Sequence, residues 1–199
     1  LVKKRLQYKF NGTFEHQRMK AIETKLKGCF ILDPTVFKDL RGYFFESFNH
    51  NTFNKLIGKT IDFVQDNESF SSKGTLRGLH FQSGDYAQAK LVRVVQGRVL
   101  DVVVDLRKDS PTYAEHFSIE LSEDNKTQLF VPKGFAHGFV VLSHTAIFSY
   151  KCDNYYHHAS ERGIRYDDPF LRIDWKLPKE NLIISDKDLV LPMLSNTAL

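Results

Sequence analysis

From residue 28 onward the chain alternates apolar and polar positions with the period of β-strands. Phe117, Ile119 and Leu121 alternate with Ser118 and Glu120, which predicts a half-buried strand. Ala146, Phe148, Tyr150 and Cys152 fall on one face of another strand. Val99–Val104 is apolar except for Asp101, the signature of a strand covered on both sides. Turn residues separate these runs: Gln96-Gly97, Lys108-Asp109-Ser110-Pro111 and Ser122-Glu123-Asp124-Asn125. One short helix is predicted over Asn51–Ile57, with a polar start and Gly58 after it, and a further short turn near 185–189. Closely spaced strands with few helices predict an all-β sandwich or barrel.

At 199 residues the chain fits one domain with a substantial core. No run approaches the roughly 18 consecutive apolar residues of a membrane span, and the start has no secretory h-region. The net charge of +4 sits in residues 1–18, where five basic groups face one acidic group. The remaining body is balanced, which argues against a broad nucleic-acid surface. Met19 reads as the start of the folded chain. Residues 1–18 are then an N-terminal extension outside the core, and 19–199 a single domain. Cys29 and Cys152 form no disulfide framework and read as buried free thiols of a cytoplasmic protein.

Two histidines sit inside glycine-containing apolar strands, His80 in LRGLHFQ and His137 in VPKGFAHGF. A buried imidazole needs a partner or a task. The P-x-G-x-x-H spacing of Pro132–His137 is that of the second cupin motif. Metal-binding cupins add an H-x-H and a glutamate, but here His80-Phe81-Gln82 carries glutamine at the second position and no glutamate follows. Two histidines without a third ligand make a weak metal site. Proton transfer is the next reading. His80 can act as a base if a carboxylate holds its other nitrogen, and Tyr150 keeps its proton at neutral pH and can act as an acid. Lys90 can stabilise a developing oxyanion. The same residues also suit satisfied core or rim positions. Arg41, Arg77 and Arg93 are candidates for anion binding, and Tyr155-Tyr156 offers a face on which a base can stack. Strict alternation puts Arg77 and His80 on opposite faces of a strand, unless Gly78 makes a bulge.

Seven segments together resemble one family: FKDLRGYFFESFN, FVQDN, LRGLHFQ, AQAKLVRVVQGRVLDVVVDLRKDSPTY, LFVPKGFAHGF, YKCDNYY and ISDKD, spread over about residues 26–190. The family is dTDP-4-dehydrorhamnose 3,5-epimerase, a metal-independent enzyme on a cupin-type jelly roll. The resemblance implies double epimerisation of dTDP-4-dehydro-6-deoxy-D-glucose through enolates, without a cofactor. It implies His80 as base, Asp188 as its orienting carboxylate, Tyr150 as acid and Lys90 at the keto oxygen. It implies ligand contacts from Arg41, Glu46, Gln65, Asp66, Asn67, Arg77, His137, Glu161 and Lys187, with Tyr156 stacking on thymine. It further implies a homodimer whose N-terminal strands reach across to the partner, and a bacterial cytoplasmic origin. Ala89 stands where some relatives have glycine. The alternatives are a 3-only or 5-only epimerase or a ketoisomerase on the same scaffold, a non-catalytic sugar-nucleotide-binding cupin, and, as an outsider, a metal-dependent cupin dioxygenase.

Overall fold

The structure, a computed structural model, describes residues 18–197. Apart from Arg18, the expected extension over residues 1–18 lies outside the described residues. Arg18 itself continues the first strand pair, its carbonyl accepting from Thr35 N at 2.7 Å.

In chain order the elements are β1 (Met19–Glu23), β2 (Phe30–Pro34), β3 (Phe37–Asp39), β4 (Gly42–Phe44), α1 (His50–Ile57), β5 (Gln65–Ser72), β6 (Thr75–Gln82) and β7 (Lys90–Gln96). They continue with β8 (Arg98–Asp105), β9 (His116–Ser122), β10 (Gln128–Val131), β11 (Phe135–Val141), β12 (Thr145–Cys152), β13 (Glu161–Gly163), β14 (Ile183–Ile184) and α2 (Asp186–Leu189). One sheet runs β1-β2-β10-β7-β12-β5, the other β13-β6-β11-β8-β9, with β14 added to β6 in parallel. β3 and β4 form a separate hairpin. Two facing sheets of mostly antiparallel strands make the expected jelly roll.

The core sits between the sheets and on both of their outer faces. Val92, Val94 and Phe148 of the first sheet meet Val99, Val103 and Phe139 of the second. Phe139 and Phe148 stack at 4.2 Å between ring centroids. The alternate residues of β8, Leu100, Val102 and Val104, face outward and are covered by Ile164, Tyr166, Leu171 and Trp175. Both faces of β8 are therefore buried, which is why its sequence reads as a continuous apolar run. Burying one such side chain stabilises the fold by about 1.5–3 kcal/mol. On the first sheet's outer face, α1 packs Phe53 and Ile57 against Leu32, Leu91 and Phe130. The helix starts where Asn49 accepts from Thr52 N at 3.1 Å and stops at Gly58 in the left-handed region. Both cysteines are buried and free.

β6 departs from regular alternation. His80 pairs with His137 and Arg77 with Phe139, so Gly78 and Leu79 of β6 oppose Gly138 alone on β11. This is a bulge at Gly78. Two glycines stand back to back there. A Cβ on Gly138 would lie 2.7 Å from the Arg77 carbonyl, and one on Gly78 would lie 2.6 Å from the Gly138 Cα. Gly78 also has φ of +133°, a conformation that side chains rarely adopt.

Candidate active site

The extra residue at Gly78 turns both Arg77 and His80 toward one cavity of about 590 Å³ between the sheets. His80 is half-buried, and its Nε2–H donates to Asp188 Oδ1 at 2.7 Å. Asp188 arrives from far along the chain. β14 pairs with β6 at Thr75 and Leu76, Ser185 caps the next turn, and α2 places Asp188 under Gly78. The Gly78 N–H donates to Asp188 Oδ2 at 3.2 Å. Burial acts to raise the Asp188 pKa. The hydrogen bond and charge of His80, the Gly78 N–H and Lys187 outweigh it and hold the carboxyl below its ordinary value.

The second histidine has its own carboxylate. His137 Nε2–H donates to Asp101 Oδ2 at 2.8 Å, and Asp101 is fully buried. Asp101, which interrupts the apolar run of β8, had no assigned role in the sequence pattern. Its face of β8 points between the sheets, diagonal to His137, which pairs with Val103 while Asp101 pairs with Phe139. Among the described residues, no three His, Cys, Asp or Glu side chains cluster as a metal site would require.

The opposite cavity wall comes from the first sheet. Lys90 and Tyr150 both line it, with the Lys90 ammonium 5.7 Å from the Tyr150 ring centroid. Burial lowers the Lys90 pKa, although Cys152, Asp101 and Glu161 act against it. Burial raises the Tyr150 pKa, with Cys152 and Glu161 reinforcing it and Arg77 opposing. The thiol of Cys152 is pushed up to about 11, chiefly by burial. Asn67 and Lys187 complete the lining among the candidates. Arg77 is held by Ser71, its Nε donating to Oγ at 3.1 Å. Ser71 is a contact that the sequence pattern did not single out.

Three further candidates lie at the rim rather than in the wall. Tyr156 donates from its hydroxyl to Glu161 at 2.8 Å, and Glu161 accepts from the cavity residue Lys187. Burial acts to raise the Glu161 pKa, but Lys187 and Tyr156 hold it below its ordinary value. Gln65 accepts from Tyr156 N at 3.0 Å and donates to Asn67 Oδ1 at 3.1 Å.

The remaining three lie away from this cavity. Asp66 alternates with Gln65 and Asn67 along β5, so it faces the other side of the sheet, where it accepts two bonds of 2.9 Å from Lys151. Arg41 stands exposed in the β3–β4 hairpin and pairs with Asp39. Glu46 follows that hairpin and pairs with Arg18 at 3.2 Å.

The family model for dTDP-4-dehydrorhamnose 3,5-epimerase matches residues 23–196. The chain belongs to that family. It is 50% identical over 171 residues to the dTDP-4-dehydrorhamnose 3,5-epimerase of Shigella flexneri, covering 86% of this chain and 93% of that one. The crystal structure of the epimerase from Elizabethkingia anophelis superposes with a TM-score of 0.87 at 54% identity, covering 90% and 98% of the two chains. An epimerase from Legionella pneumophila, solved in complex with dTDP-4-keto-L-rhamnose, gives a TM-score of 0.86 at 48% identity over 89% and 94%. This epimerase-family chain therefore has the cupin-type jelly roll of its relatives.

Proposed function

We propose that the chain converts dTDP-4-dehydro-6-deoxy-D-glucose to dTDP-4-dehydro-L-rhamnose by inverting carbons 3 and 5 in turn. Support for the reaction comes from the family match over residues 23–196 and from the similarity to epimerases over the whole fold. The observation that carries the chemistry is the His80–Asp188 pair, which faces a cavity shared with Tyr150 and Lys90.

The 4-keto group acidifies the protons on carbons 3 and 5, because each resulting carbanion is an enolate. Asp188 holds the His80 Nε2–H, which leaves the Nδ1 lone pair as the base. As His80 takes the proton, the depressed Asp188 carboxylate stabilises the imidazolium that forms. The Lys90 ammonium lies where a cation can stabilise the enolate oxygen. Tyr150, with its pKa raised, keeps its proton and returns one to the opposite face of the same carbon, which inverts the centre. Solvent then reprotonates the phenolate and removes the proton from His80. Arg77 and Lys187 supply cationic donors for the diphosphate, and His137, whose Nε2–H is held by Asp101, keeps its Nδ1 as an acceptor beside His80. Tyr156 offers its ring to thymine at the rim, where stacking of a base on an aromatic side chain contributes about 1–3 kcal/mol. The test is the product's stereochemistry by NMR. Inversion at both centres supports this reading, and inversion at one alone supports a mono-epimerase.

Arg41 and Glu46 fit this account only if they serve a second protomer. Arg41 lies in the turn of an exposed apolar hairpin and Glu46 just after it, with Leu40, Tyr43 and Phe44 open to solvent. A homodimer in which this hairpin lies against the partner covers that surface and carries both charges toward the other cavity. Sedimentation should give twice the 23.1 kDa chain mass, and a monomer at working concentration would contradict it.

A further inference from the structure

Gln82 is the residue that breaks the H-x-H pattern, and the reaction as described gives it no task. β6 brings it two positions beyond His80, and its side chain is only 7% exposed. It is not part of the cavity wall. Its Oε1 accepts instead from the backbone N–H of His157 at 3.1 Å. The preceding N–H, that of Tyr156, is accepted by Gln65 Oε1 at 3.0 Å. Residues 155–157 lie in neither helix nor strand, so these N–H groups have no ladder partners. Gln65 belongs to the first sheet and Gln82 to the second. The two amides therefore grip consecutive peptides of one irregular segment from opposite sheets.

The rest of the segment is fixed just as closely. The His157 ring stacks on Tyr86 at 3.9 Å between centroids with an interplanar angle of 10°. Its Nδ1 lies 3.0 Å from Ser160 Oγ. Glu161, which anchors the Tyr156 hydroxyl, pairs across strands with Gln82 itself. Tyr156 is thus held at its N–H by Gln65 of β5, at the following peptide by Gln82 at the end of β6, and at its hydroxyl by Glu161 of β13, while the residue stays about half exposed at 51%.

We propose that Gln82 is a positioning residue for nucleotide recognition: through the His157 peptide it sets the angle at which Tyr156 presents its ring to the base. The position that in a metal-binding cupin would hold a second ligand serves here to orient a binding surface at the rim. The inference rests on the reading that Tyr156 stacks on the nucleobase.

The experiment compares wild type, Gln82→Met, Tyr156→Ala and the double variant, measuring kcat and KM on the 4-keto sugar nucleotide and the Kd of dTDP by calorimetry. Methionine matches glutamine in length but cannot accept the His157 N–H. Gln82→Met should raise KM and the dTDP Kd about tenfold, the order expected for one buried donor left unmatched, with kcat within about twofold of wild type. In the double variant the Gln82 effect should vanish, because it acts through Tyr156. If Gln82→Met fails to fold, Gln82→Ala is used instead: a water can satisfy the N–H and spare the fold, but it does not fix the segment, so KM and the dTDP Kd should still rise. An unchanged KM, a loss confined to kcat, or penalties that multiply in the double variant would overturn the proposal. If Tyr156→Ala leaves the dTDP Kd unchanged, the stacking reading falls and the proposal falls with it. If Tyr156→Ala weakens dTDP and Gln82→Met does not, only the positioning role is lost.

Discussion

His80 and Asp188, 108 residues apart in sequence, form a 2.7 Å hydrogen bond in the lining of the cavity. Asp188 also accepts from the peptide N–H of Gly78, the bulged residue that turns His80 inward. The carboxylate therefore fixes both the imidazole and the strand irregularity that aims it. Asp188→Asn should keep the fold and reduce kcat by about 10²–10⁴-fold, because an amide can hold the ring but stabilises the imidazolium poorly. KM should move little. A variant within a few-fold of wild-type kcat would remove Asp188 from the mechanism.

Tyr150 and His80 have separable tasks. Tyr150→Phe removes the acid and leaves the base, so a proton taken by His80 can return only from the side it left. The expected result is solvent exchange at the sugar carbon without inversion, read as deuterium incorporation into unepimerised substrate. Inverted product forming at the wild-type rate would show that another group delivers the proton.

Acid stability depends on a different carboxylate. Asp105 is fully buried, and burial alone would raise its pKa. Arg107, Ser110 and Thr112 all donate to it and hold it at about 2. A carboxyl depressed in the fold contributes stability that is complete above its unfolded pKa of about 3.9 and is lost as pH falls through the folded value. Asp105→Asn should therefore destabilise the protein by about 2 kcal/mol at neutral pH. It should also flatten the fall in stability between about pH 4 and pH 2. Urea titrations at several pH values read this directly, and parallel curves for the two proteins would contradict it.

The strands were legible where burial follows the chain locally. The apolar run of β8 and the one-sided pattern of β12 follow from which faces are covered, and α1 is bounded by Asn49 and Gly58. The site was legible less evenly. His80, Tyr150 and Lys90 could be read as candidates from residue type and setting, but the pairing of His80 with Asp188 and of His137 with Asp101 depends on contacts between distant strands. No local pattern encodes them, and Asp101 looked only like an interruption. The Arg77–His80 conflict did have a local signal in Gly78, and the structure resolves it as a bulge backed by Gly138. Period-two alternation alone places Asp66 opposite its neighbours Gln65 and Asn67, a constraint the resemblance did not convey. Arg41, in the turn of the β3–β4 hairpin, and Glu46, just after it, do not line the cavity of their own chain.

The proposed reaction exchanges protons at two carbons of one sugar. The direct measurement is NMR of dTDP-4-dehydro-6-deoxy-D-glucose incubated with the purified protein in D2O. Deuterium should appear at both carbon 3 and carbon 5, with both centres inverted in the product, and both signals should be lost in His80→Ala. Exchange no faster than without protein, or wild-type exchange in His80→Ala, would contradict it.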